Sequence, residues 1–149
     1  MTVAKICTKN VATATRDTPV TEAAKQMRHR HVGNLVVVEN RDGKVVPVGV
    51  VTDRDIVISV VAPELDPKVF TLGDMLLTDA ITCREDLDVA SCLHQMRTHA
   101  IRRMVVVDAS GALAGIIALD DIIRFLAGEM GEVSKLIERE QVVEMKTRV

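Results

Sequence analysis

Apolar positions along this chain change their period several times, and each change marks an element. Val20, Ala23, Ala24 and Met27 recur at the spacing of one helix face, which predicts a helix opened by Thr18 as N-cap with Pro19 in its first turn. A short extended piece over Val11–Thr15 precedes it. Leu35-Val36-Val37-Val38 is a β-branched run of the buried-strand kind, Asn40-Arg41-Asp42-Gly43 is a turn, and Val46–Val51 returns as a second strand. Asp53–Val61 closes the unit as a helix.

The same succession then recurs. Val20–Val38 reads VTEAAKQMRHRHVGNLVVV and Val89–Val107 reads VASCLHQMRTHAIRRMVVV, with Gln-Met-Arg and Val-Val-Val in register at an offset of 69 residues. In the second copy Ile81-Thr82 is the short strand and Val89–Arg97 the helix. Met104–Val107 and Leu113–Ala118 are the hairpin strands, joined by Asp108-Ala109-Ser110-Gly111, and Asp120–Leu126 is the closing helix. Ala62–Phe70, with Pro63 and Pro67, reads as a linker, and Thr71–Leu77 as a short helix.

A long repeat present only twice predicts one pseudo-symmetric pair rather than a solenoid. The expected fold class is mixed α+β. Two β-α-β-β-α repeats, residues 7–66 and 74–128, pack as a single module over 1–149, and the pair offers two equivalent clefts. An amphipathic helix over 129–149 follows, after a joint at Gly128 and Gly131. Its stripe of Met130, Val133, Leu136 and Ile137 suits either docking on its own domain or a dimer contact.

The strongest chemical signal is Gly49-Val50-Val51-Thr52-Asp53-Arg54-Asp55, where a buried strand ends and a helix starts. Gly49 would admit a close approach to the backbone. Thr52 and Asp55 share a side of the first helical turn, where a carboxylate can accept hydrogen bonds from two neighbouring hydroxyls. Thr-x-x-Asp is also the form of a capping box, and Thr71-Leu72-Gly73-Asp74 repeats that form with no strand feeding it. Both readings stand at this level. The second copy, Gly115-Ile116-Ile117-Ala118-Leu119-Asp120-Asp121, keeps the glycine and Asp121 but places Ala118 where Thr52 stands.

Composition narrows the function classes. Nineteen Lys and Arg against 21 Asp and Glu leave no bulk positive field for nucleic acid, and Phe70 and Phe125 are the only aromatics, which argues against a base-stacking platform. Cys7, Cys83 and Cys92 form no CxxC pair and read as reduced thiols, which with no signal-peptide pattern and no apolar run long enough for a bilayer predicts a cytoplasmic protein. His29, His31, His94 and His99 lack metal-ligand spacing, and no nucleophile motif, P-loop or GxGxxG occurs, so neither a metal site nor an enzyme is expected.

The duplicated unit, its VGNLVVVEN and IRRMVVVDASG strands and GVVTDRD resemble a pair of CBS domains (from cystathionine β-synthase) over roughly Ile6–Gly128. The resemblance implies a module that forms disk-like homodimers and binds adenosyl ligands (AMP, ADP, ATP, S-adenosylmethionine or NAD-type) as effectors in its clefts. It implies a ribose contact at Gly49, Thr52 and Asp55. Val51, Ile81, Thr82 and Met104 would wall the base, and Arg54 and Arg103 are the phosphate candidates, ahead of Arg102 and the Arg28-His29-Arg30-His31 cluster. The second, weaker cleft would use Asp121 with Val11, Thr13, Asn34 and Leu35. Losing the hydroxyl at Ala118 would cost a ligand there about 0.5–1.5 kcal/mol. The expected function is therefore a regulatory ligand sensor without catalysis, acting on an unidentified protein target. The alternative is a dimeric scaffold whose clefts stay empty.

Overall fold

The computed structural model describes residues 1–148. Each repeat builds one three-stranded sheet. In the first, β1 (Thr13–Ala14) runs parallel to β2 (Asn34–Arg41), which is antiparallel to β3 (Lys44–Thr52). In the second, β4 (Thr82–Arg84), β5 (Arg103–Val107) and β6 (Leu113–Ala118) repeat that order. The register shifts at matching places, between Val37 and Val38 and between Val106 and Val107, so even the bulge is duplicated. Helices α1 (Val20–Arg30) and α4 (Val89–Thr98) connect the first two strands of each sheet, and α2 (Asp53–Ile56) follows β3.

Each repeat completes its core with a segment that precedes the other. Val3, in a 3₁₀ turn over Val3–Lys5, is fully buried among Cys83, Val89, Cys92, Met96 and Ile117 of the second half. Its N–H donates to the Leu87 carbonyl at 2.8 Å. Leu72, the first residue of α3 (Leu72–Met75), is fully buried among Val20, Leu35, Val51 and Val60 of the first half. Val3 and Leu72 stand at the same place in the two copies, as do Cys7 and Leu76, so the duplication begins earlier than its VVV signature suggests.

This exchange explains the glycines. A Cβ on Gly49 would lie 2.3 Å from Leu76 Cδ2, and one on Gly115 would lie 2.9 Å from both Cys7 Sγ and the Thr8 carbonyl oxygen. The close approach expected at Gly49 is made by the crossing segment of the chain itself.

Three expectations are corrected. Pro19, not Thr18, is the N-cap of α1, with extended backbone and no side-chain cap; the Thr18 hydroxyl instead accepts from the Thr15 N–H at 3.1 Å. The helix after Asp53 is α-helical only to Ile56 and continues as a π-helical turn over Val57–Val61. The tail has no joint: α5 runs unbroken from Leu119 to Thr147, merging the closing helix with the extension, whose last residue, Val149, lies outside the described residues. Each glycine costs a helix only about 1 kcal/mol against alanine, too little to break one flanked by Leu, Ala, Glu and Met.

Candidate functional site

Two cavities open where the halves meet. The first, about 440 Å³, is lined by Val50, Thr52 and Arg54 from the first repeat and by the stretches 78–81 and 100–103 from the second. The second, about 240 Å³, is its pseudo-symmetric counterpart, with Ile116, Ala118 and Asp120 in the places of Val50, Thr52 and Arg54. Between them Arg103 Nη1 donates to Asn34 Oδ1 at 3.1 Å. These two residues hold equivalent positions in the repeats, so the pseudo-two-fold axis passes between them, and Arg103 lines both cavities.

The predicted first-cleft residues divide. Thr52, Arg54, Ile81 and Arg103 line the cavity, and Arg102 joins them. Val51 and Met104, expected as walls, are each 1% exposed and belong to the cores. Side chains alternate along a strand, so the cleft wall falls on Val50, one position away. Thr82 lies in β4 next to the lining residue Ile81, and Gly49 is covered by Leu76.

Thr52 and Asp55 form a complete capping box. The Asp55 N–H donates to Thr52 Oγ1 at 3.1 Å and the Thr52 N–H donates to Asp55 Oδ2 at 2.8 Å. The box leaves the Thr52 hydroxyl proton and Asp55 Oδ1 without a partner among the described residues. The capping and ligand readings are therefore compatible, since the box orients groups that keep one donor and one acceptor free. Asp55 itself is exposed and outside the cavity lining.

In the second cavity Val11, Asn34 and Asp121 line the space, while Leu35 is fully buried in the first core and Thr13 lies outside the lining. Only half of the box survives. The Ala118 N–H donates to Asp121 Oδ2 at 2.8 Å, and Ala118 has no side-chain oxygen to accept the return bond. Arg124 Nη1 pairs with Asp121 Oδ1 at 3.3 Å, occupying the oxygen that its counterpart leaves free.

The charge difference between the cavities was missed at the sequence level. The first holds three cations, Arg54, Arg102 and Arg103, against Asp79. The second holds Arg103 and Arg124 against Asp120 and Asp121. Aligning the closing helices would have shown it, because Arg54 and Asp120 are counterparts. The Arg28–His31 cluster sits at the C-terminal end of α1 and lines neither cavity.

No group of three or more His, Cys, Asp or Glu side chains among the described residues is placed to hold a metal ion, and no helix among them is long and apolar enough to cross a membrane. The cysteines are free thiols. A hydrogen bond with Cys92, with burial, pushes the Cys83 thiol well above its ordinary range.

Two small sheets sharing exchanged segments around a pseudo-two-fold axis, with a cleft on either side, define a paired-repeat architecture. The chain belongs to the CBS-domain family, whose model matches residues 3–62 and 72–128. An uncharacterised protein of Methanopyrus kandleri is 30% identical over 94% of this chain and 71% of its own length. A CBS domain protein of Pyrobaculum aerophilum complexed with AMP superposes with a TM-score of 0.72 at 26% identity, over 81% of this chain and 89% of that one. A CBS domain pair in complex with 5′-methylthioadenosine and S-adenosylmethionine does so with a TM-score of 0.72 at 26% identity, over 85% and 99%.

Proposed function

We propose that this protein is a non-catalytic sensor of an adenine nucleotide, which binds in the cleft of Thr52, Arg54 and Arg103 and shifts the balance between arrangements of its two repeats. The observation that carries the reading is the cationic first cleft: three arginines and one aspartate around about 440 Å³ of space, within the usual range of small-ligand sites. Arginine forks suit phosphate oxygens. Val50 and Ile81 offer aliphatic surface to the base, and the free atoms of the Thr52–Asp55 box suit ribose hydroxyls.

Of the two solved relatives in complex, one holds AMP and the other holds 5′-methylthioadenosine and the sulfonium S-adenosylmethionine. A cleft with excess arginine favours the phosphate. The free thiols fit a reducing, cytoplasmic setting. As in the family resemblance, we place the working unit as a homodimer acting on a protein target.

A thermal-shift titration tests this. With no Trp or Tyr, the chain leaves the near-ultraviolet to any co-purified nucleotide. AMP or ADP at a hundred times its dissociation constant should add about 2.7 kcal/mol of stability. S-adenosylmethionine should add less at equal concentration. If it stabilises more than AMP, the nucleotide assignment is wrong. If no adenosyl compound shifts the transition, the scaffold reading takes its place; the satisfied box at Thr52 and the missing hydroxyl at Ala118 are the features that favour it.

A further inference from the structure

The bond between Arg103 and Asn34 joins more than two side chains. Asn34 opens β2 and pairs across the sheet with Thr52, the last residue of β3. Arg103 opens β5 and pairs with Ala118, the last residue of β6. The 3.1 Å contact from Arg103 Nη1 to Asn34 Oδ1 therefore completes a continuous row, Thr52, Asn34, Arg103, Ala118, that runs from one cleft to the other. The row crosses the pseudo-two-fold axis at that single bond, with both partners half-buried.

The backbone of this row is symmetric and its charge is not. Two clefts meet at the axis, but only the second repeat supplies a cation there; the first supplies a neutral amide. Arg103 lines both cavities, whereas Asn34 lines only the second. With Arg103 drawn into the first cleft, the second keeps Arg124 alone against Asp120 and Asp121, and Arg124 is already paired with Asp121. A phosphate offers the guanidinium a charge–charge attraction that the amide oxygen of Asn34 lacks. Arg102 makes no comparable link, because it stands 3.9 Å from Asp120 with both side chains exposed, a contact that contributes little.

Granted the nucleotide reading of the first cleft, on which this rests, we infer that Asn34 is a specificity-determining residue for that cleft from outside its lining. It holds Arg103 on the axis, and a nucleotide phosphate must draw the guanidinium off it. The catch opposes the phosphate and not the nucleoside, so it lowers the affinity for AMP relative to adenosine. It also makes the clefts exclusive for anions, since the first phosphate bound removes the cation that a second would need. The coupling is reciprocal: an anion that engages Arg103 from the second cleft weakens nucleotide in the first by the same factor.

Calorimetric titration of the full chain with AMP and with adenosine tests this. The parent should bind AMP more tightly than adenosine. Asn34→Leu removes the acceptor and should raise the ratio of AMP to adenosine affinity about two- to tenfold, the worth of one hydrogen bond. Arg103→Leu should lower that ratio, and adding Asn34→Leu to it should change the ratio no further, because the effect runs through Arg103. In the unmutated chain the side-chain amide resonance of Asn34 should move further on adding AMP than on adding adenosine, a readout that needs no variant to fold. A parent that binds AMP no better than adenosine overturns both the phosphate reading and this coupling. A preference for AMP that Asn34→Leu lowers or leaves unchanged, or an Asn34 resonance that moves equally with both compounds, overturns the coupling alone.

Discussion

The two clefts descend from one duplicated unit and share a backbone, yet differ in the three properties that decide what each can hold. The cleft at Thr52 is larger, about 440 against 240 Å³, and carries an excess of arginine. It also has a complete capping box that leaves a hydroxyl proton and a carboxylate oxygen free. The cleft at Ala118 has balanced charge, no hydroxyl at the position of Thr52, and an aspartate already paired with Arg124. Two substitutions account for most of this: Thr52 against Ala118 and Arg54 against Asp120. Repeats of one topology thus expose the effect of side-chain chemistry, and they predict that only the first cleft takes a phosphate.

Exchanging the differing residues should break the asymmetry most. Arg54→Asp gives the first cleft the charge of the second. A charge-assisted hydrogen bond contributes about 1.5–3 kcal/mol, so AMP affinity measured by calorimetry should fall about tenfold or more. High salt should narrow the gap. Asp120→Arg with Ala118→Thr should in turn create measurable binding in the second cleft.

A smaller change sharpens the role of the hydroxyl. Thr52→Ala reproduces the half-box of Ala118 and should weaken AMP by about 0.5–1.5 kcal/mol. The lost cap should cost a further 0.5–2 kcal/mol or so of stability in chemical denaturation. If stability falls and affinity does not, Thr52 is a cap only.

The smallest effect concerns the helices that lead into the hairpins. Helix α4 is capped by Asp88, whose carboxylate accepts from the Ser91 N–H at 2.9 Å, while α1 has no side-chain cap. Hydrogen bonds from Ser91 hold the Asp88 carboxyl below its ordinary 3.8. A group with a depressed folded-state value contributes stability above its unfolded value and loses it as pH falls through the folded one. Hydrogen exchange should therefore show α4 losing protection below pH 3.8 in the parent, with the loss absent in Asp88→Asn.

Much of this was legible in the chain. The register of Gln-Met-Arg and Val-Val-Val located both sheets, and strand ends at Thr52 and Ala118 located both clefts. Val51 and Met104 were misplaced because a run of consecutive valines hides which alternate side chains face the core. The exchanged segments at Val3 and Leu72 were hidden by distance, since each is buried against residues of the other half. Gly49 signalled a close approach without saying what approaches, and only the path of Leu76 supplies that. The joint expected at Gly128 failed because glycine weakens a helix without ending it.

The most direct test of the asymmetry is the number of AMP molecules bound per chain, titrated calorimetrically against the parent, Arg54→Asp and Asp120→Asn. The account predicts one site per chain, weakened by Arg54→Asp and unaffected by Asp120→Asn. Two equal sites in the parent, or binding lost on changing Asp120 and kept on changing Arg54, would contradict it.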